Sequence, residues 1–146
     1  MADETLVTDE IKAWIGRETP PHSEVIESGM IARWARATFD TSTRFGGLGA
    51  PTTFSLGICA AEMGHGDEAQ LRPPIKASRS LAGGDEWEYG APVRPGDTIT
   101  KRVRVAEIYE KQGSRGPIAF VVWESTFTNQ RGEVAVRMRR SSIFLA

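Results

Sequence analysis

GGDEWEYGAPVRPGDTITKRVRVAEIYEKQGSRGPIAFVVWESTFTNQRGEVAVRMRRSSIF, residues 83–144, decides the fold, because it reads as four strands of one antiparallel sheet laid down in order. Asp85 to Tyr89 sets Trp87 and Tyr89 two apart, and Gly90, Pro92, Pro95, Gly96 and Asp97 then punctuate the chain by fixing or freeing backbone torsions. Thr98 to Tyr109 alternates, with Ile99, Val103 and Val105 on one face and Lys101 as an interruption. Beyond Val105 the apolar positions move to Ala106 and Ile108, the change of phase that a bulge produces. Ile118 to Phe127 is dense in β-branched and aromatic residues, and Asn129 to Gly132 supplies a turn. Val134, Val136 and Met138 follow at period two against Arg137, Arg139 and Ser141, which gives the last strand one dry face and one wet face. Such a sheet needs a cover.

Length and charge narrow the classes. The 146 residues suit a single domain with a sizeable core, residues 1–21 forming an amino-terminal extension. With 18 basic against 19 acidic side chains and a formal charge of -1, nothing points to nucleic acid or an anionic membrane as a partner. Cys59 is the single cysteine, so no internal disulfide forms, in keeping with a reducing compartment. No apolar run approaches the ~20 residues of a membrane span, and MADETLVTDE is acidic, unlike a targeting leader. The expected setting is soluble and cytoplasmic.

Upstream of the sheet, residues 1–10 read as a loose lead, and Ile11 to Arg17 places Ile11, Trp14 and Ile15 at helical spacing. Thr19, Pro20 and Pro21 end that turn. His22 to Glu27 reads as a strand and is followed by a helix from Ser28, with Ser28 as N-cap and Ile31, Trp34, Ala35 and Thr38 along one face. Asp40 to Gly49, DTSTRFGGLG, is a loop. Pro51 opens a helix carrying Phe54, Leu56, Ile58, Cys59, Ala60 and Met63, apolar almost all round and therefore expected to be buried. Asp67 to Ser80, with Pro73 and Pro74, is expected to be loop.

General chemical motifs are absent: there is no phosphate-binding glycine loop, no nucleophile elbow and no paired metal-ligand spacing. His22 and His65 are isolated and read more readily as surface histidines than as ligands. Cys59 reads as a small hydrophobe. Trp87, Tyr89 and Trp123 alternate along strands as packing residues. Arg137, Arg139 and Arg140 form a short basic patch, either a solvated strand face or a contact for an anionic tail such as the phosphate of coenzyme A or of a carrier protein.

The Asp40 region, APTTF at Ala50 to Phe54, LAGGDEWEYGAPVRPGDTIT at Leu81 to Thr100 and FVVWESTFTNQRGEVAV at Phe120 to Val136 together resemble the MaoC-like hot-dog dehydratases. The likeness is to the amino-terminal half of their double hot-dog members and to the matching separate subunits, and it covers residues 22–144. It implies an α+β hot-dog fold, a curved antiparallel sheet wrapped around a central apolar helix. It also implies a (3R)-hydroxyacyl thioester dehydratase or enoyl hydratase, a hydro-lyase of fatty acid or lipid metabolism that needs no metal or other cofactor. Its substrate rides on coenzyme A or an acyl carrier.

Catalytic members of that family carry a D-x-N-P-x-H loop whose Asp and His share a water, together with a His-Gly pair whose glycine N–H faces the thioester oxygen. Asp40 falls on the motif Asp here, but Phe45 stands at the His and Ala50-Pro51 stand at His-Gly. Phe45 moves no proton, and Pro51 has no amide hydrogen. By resemblance, Asp40 is then vestigial, no catalytic residue is expected in this chain, and Phe45, Phe54 and Trp87 line an acyl-thioester tunnel. Arg137 and Arg139 are the weaker candidates for the phosphate tail. The resemblance implies a noncatalytic subunit whose related catalytic hot-dog partner supplies Asp and His, with self-dimerisation also open. The alternatives are an independent hot-dog dehydratase or thioesterase using other residues, or a stand-alone acyl-thioester binding protein.

Overall fold

The computed structural model describes residues 5–40, 54 and 70–146. Three long strands carry the architecture: β3 (Thr98–Gly113), β4 (Gly116–Thr128) and β5 (Val134–Leu145), each paired antiparallel with the next. Their alternation dictates the pairing, since Ile99, Val103 and Val105 are buried while Arg102 and Arg104 between them are exposed. The bulge read from the sequence is present, as the register slips between Val105 and Glu107. The β4–β5 turn is also where expected: the Asn129 side-chain oxygen accepts the Arg131 and Glu133 N–H groups at 3.0 Å each, and Gly132 turns the chain at φ 79°.

The first strand of the quoted stretch departs from expectation. β2 runs from Arg79 to Tyr89, beginning before Asp85, and pairs with β5, so the sheet order is β1-β3-β4-β5-β2. Strands β3 to β5 are a meander; β2 is not part of it. Trp87 lies opposite Met138 and Tyr89 opposite Val136, a pairing that joins four large side chains on one face. The chain leaves β2 through Gly90, whose N–H reaches the Ala135 carbonyl at 2.9 Å and where any Cβ would run into the Val134 carbonyl. Residues 90–97 then cross the sheet end to reach β3. Expecting loop through Ser80 missed the first two residues of β2, because this strand is exposed along nearly all its length and has no buried alternation to announce it. The strand expected over His22 to Glu27 is present as β1 (His22–Val25), two residues shorter, and it borders β3 on the opposite edge.

Two groups of side chains cover the inner face. At one end Ile26, Val93, Ile99, Phe127, Val136 and Met138 form a cluster with Phe54, and Met30, Ile31 and Trp34 of α2 (Ser28–Ala37) pack against it. Phe54 is helical, 3% exposed, and meets Trp34 edge-on at 6.4 Å between centroids. The rest of the helix expected over 51–63, and the loop expected over 41–49, lie outside the described residues. At the other end Val103, Val105, Ile108, Val121, Trp123 and Phe144 are covered by Leu6, Val7, Ile11 and Leu71. Residues 5–10 are therefore not a loose lead. The Glu110 carboxylate accepts Thr5 Oγ1–H at 3.1 Å, Leu6 N–H at 2.7 Å and Val7 N–H at 3.1 Å, which ties this strap to β3. Trp123 Nε1–H donates to the Leu71 carbonyl at 3.1 Å and fixes the second cover.

The early helix is shorter than its spacing suggested: α1 spans Asp9–Lys12, capped by Thr8 Oγ1, and Gly16 at φ 86° turns the chain away. Ile11 is buried, whereas Ile15 remains 46% exposed. In α2 the cap is Glu27, not Ser28, which is the first helical residue. Among the described residues no helix is long and apolar enough to cross a membrane.

Ser125 sits fully buried on the inner face, opposite Val103 and Met138, and among the described residues its hydroxyl has no hydrogen-bond partner. A buried orphan hydroxyl costs about 1–3 kcal/mol. Ser125→Ala should accordingly raise the unfolding free energy by about 1 kcal/mol, measured by urea denaturation; a loss of stability would show that the hydroxyl has a partner in solution. Glu110→Ala should lower stability by about 1.5–3 kcal/mol, and hydrogen exchange should quicken at Leu6 and Val7 before it does at β4.

Candidate functional site

Asp40 is placed by the end of α2. Thr38 N–H bonds the Trp34 carbonyl at 2.9 Å, Phe39 N–H the Arg36 carbonyl at 3.3 Å and Asp40 N–H the Ala35 carbonyl at 2.8 Å, the pattern of a Schellman stop. Glycine normally occupies the left-handed position of that motif; here Phe39 does, at φ 54° and 90% exposed. A bulky aromatic held in that region carries about 1–2 kcal/mol of backbone strain, so Asp40 sits just beyond a strained and well-defined corner. Its half-buried position is immediately upstream of Phe45, Ala50 and Pro51, which lie outside the described residues, as do Cys59 and His65.

Phe54 and Trp87 come together on the same inner-face cluster, Trp87 half-buried and stacked on Tyr89 at 6.4 Å. Arg137 and Arg139 do not join them. Strand alternation turns these two to the opposite face of the sheet from Val136 and Met138. There Arg137 Nη1 pairs with Glu88 at 3.3 Å, and Arg139 bridges Glu107 at 3.1 Å and Glu124 at 3.4 Å. Glu124 also takes Arg104 Nη2 at 2.8 Å and Nε at 3.1 Å. By the same alternation Arg140 and Asp85 fall on the side of Met138 and Trp87, where Arg140 forks onto Asp85 at 2.9 and 3.2 Å. The basic run is thus the cationic half of a cross-strand ion lattice. His22 hydrogen-bonds Glu24 at 3.1 Å on the exposed edge. Among the described residues no group of three or more His, Cys, Asp or Glu side chains is arranged to hold a metal ion.

A family model described as "FAS1-like, dehydratase domain region" matches residues 13–138. The chain belongs to that dehydratase-region family. Its fold is the MaoC-like hot-dog fold, α+β with one five-stranded antiparallel sheet. The MaoC-like dehydratase from Rhodospirillum rubrum is similar at 23% identity and TM-score 0.63, over 90% of this chain and 92% of that one. The ChsH1-ChsH2 complex from Mycobacterium tuberculosis contains a chain similar at 17% identity and TM-score 0.69, over 93% and 87%. The HadBC (3R-hydroxyacyl-ACP dehydratase) complex from the same organism matches at 18% and 0.64, over 89% and 96%. No curated protein matches the sequence.

In this dehydratase-region chain, the two segments that carry the resemblance most clearly, VRPGDT and TNQRGE, meet in space. Asp97, 4% exposed, accepts Gln130 Nε2–H at 2.9 Å and Arg94 N–H at 2.8 Å, with Arg131 Nη1 at 3.6 Å. Gln130 Oε1 in return accepts Thr98 N–H at 3.0 Å. The Asp97 backbone carbonyl accepts Ile26 N–H at 2.8 Å, so the clasp also seats the end of β1. Burial pushes the Asp97 pKa up, but the bonds from Gln130 and Arg94 and the charges of Arg131 and Arg94 outweigh it, and the net shift is downward. Glu133 is also lowered, chiefly by the Arg131 hydrogen bond at 2.6 Å. From sequence alone Asp97 was only punctuation; the signal that identifies it is an Asp directly after Pro-Gly whose side chain closes its own turn.

A carboxyl with a depressed folded pKa stabilises the fold above its unfolded pKa, near 3.8, and that contribution is lost as pH falls through the lower folded value. Asp97→Asn should cost about 1.5–3 kcal/mol at pH 7. The gap between wild type and variant should close below about pH 4, in denaturant curves recorded from pH 7 to pH 2.5; a gap that does not vary with pH would remove the carboxylate from the explanation.

Proposed function

We propose that this chain is a noncatalytic, tunnel-forming subunit of a heteromeric enoyl-thioester hydratase or (3R)-hydroxyacyl-thioester dehydratase, whose related partner supplies the catalytic Asp and His. The carrying observation is the pair Phe45 and Pro51 in a chain of a dehydratase family: neither the proton-moving imidazole nor the oxyanion N–H of the catalytic members has a chemical equivalent at these positions. Asp40 is retained at the end of α2 without that histidine. The tunnel walls are assigned to Phe45, Phe54 and Trp87, and the substrate carrier is coenzyme A or an acyl-carrier protein, with no metal or other cofactor.

The partner reading has support from the sheet edge. β2 exposes an eleven-residue edge carrying Leu81 at 50% and Tyr89 at 45% exposure, and among the described residues no strand pairs with its outer side. A long exposed edge with unpaired backbone groups can accept a strand from another chain. Two of the similar structures are complexes, and another, a MaoC-like dehydratase, is matched over only 43% of its own length.

Alone, the purified chain should hydrate a 2-enoyl thioester negligibly, and activity should appear on mixing with a chain that has intact D-x-N-P-x-H and His-Gly elements. Within the mixture Asp40→Asn should lose less than about tenfold, or ~1.4 kcal/mol of barrier, while Phe54→Ala and Trp87→Ala should alter chain-length preference more than turnover. Steady-state assays decide it: robust activity of the isolated wild type, abolished by Asp40→Asn, would overturn the assignment in favour of an independent enzyme.

A further inference from the structure

The strap at residues 5–17 borders a partly open cavity of about 920 Å³ together with Pro74, Lys76 and the carboxy-terminal Ala146. This volume falls in the upper range of small-molecule sites. Its walls separate by chemistry. Leu6, Ile11 and Trp14 supply the apolar part. Arg17 and Lys76 supply two cations, beside the carboxylate of Glu10 and the terminal carboxylate that Ala146 carries in this chain. Arg17 lies over the Trp14 ring at 4.1 Å from its centroid, which holds the guanidinium on the wall. Among the described residues neither Arg17 nor Lys76 has a carboxylate in ion-pair reach, in contrast to Arg104, Arg137, Arg139 and Arg140 on the sheet. The cavity adjoins the inner-face cluster under the strap and shares no residue with the cluster that holds Phe54 and Trp87.

We propose that this cavity is a second ligand site, for an amphiphilic carboxylate whose apolar body lies on Leu6, Ile11 and Trp14 and whose head pairs with Arg17 and Lys76. The inference is independent of the acyl-thioester reading. Apolar area gives the affinity, and the two cations select an anion over a neutral molecule of equal length.

The test is a titration of the full-length, isotope-labelled chain with laurate, and separately with dodecan-1-ol, each kept below its aggregation limit and followed by two-dimensional amide NMR. Laurate should bind saturably, shifting the Leu6, Ile11 and Lys76 amides and the Trp14 indole, with dodecan-1-ol about fivefold weaker at the same signals. Arg17→Gln combined with Lys76→Gln should reduce laurate to the alcohol's affinity and leave the alcohol unchanged. Both side chains are exposed, so the melting temperature should hold. Added sodium chloride should weaken laurate and not the alcohol. Equal affinity for both probes, an unchanged double variant, or shifts confined to the Trp34 and Trp87 end would overturn the proposal.

Discussion

The rest of the structure depends on keeping the inner face of β3, β4 and β5 out of water. That face is longer than α2 and Phe54 together cover, because the strands run on past Val103 to Ile108 and from Trp123 back to Ala119. Each large side chain left wet would forfeit roughly 1.5–3 kcal/mol. Among the described residues a second cover lies over that end, the strap from Leu6 to Ile11 with Leu71. An exposed dipeptide of Leu and Val at a chain end would be disordered by default, since ordering each residue costs about 1–2 kcal/mol. Glu110 offsets that cost by taking three donors from consecutive residues, and it does so from the strand that the strap covers.

What was legible in the sequence was local. The α2 spacing, the bulge after Val105 and the Asn129 to Gly132 turn each depend on a few neighbouring residues, and all three stand in the structure. The neighbour of β2 was not legible, because Trp87 and Tyr89 specify a face but not the strand beside it, and the residues from Gly90 to Asp97 look the same whether they close a hairpin or cross a sheet end. The strap was missed for a related reason: Leu6 and Val7 have no period, and their partner Glu110 lies more than a hundred residues along the chain.

The candidate site divides in the same way. Asp40 was readable only through a family motif, since a lone Asp after Phe39 has no local signature. The structure adds the helix stop that positions it. Arg137 and Arg139 were readable as a patch, whereas their carboxylate partners sit on β2, β3 and β4 and are brought in by register alone. An exposed pair such as Arg137–Glu88 contributes about 0–1 kcal/mol, whereas Glu124 is buried and relies on Arg104 and Arg139 to balance its charge.

Sheet alternation puts a further constraint on how such a tail could be held. Phe54 and Trp87 lie on the inner face, and Arg137 and Arg139 lie on the outer one, so one ligand cannot touch both sets without passing around the edge at β2. To reach these arginines a phosphate would also have to displace Glu88, Glu107 and Glu124, the last of them held in addition by Arg104. Replacing the exposed Glu88 and Glu107 contacts by phosphate contacts yields little net electrostatic gain, and displacing the buried Glu124 would leave its charge uncompensated. An anionic tail bound at Arg137 and Arg139 would therefore have to break contacts that the sheet register already makes, and it would sit on the face away from Phe54 and Trp87.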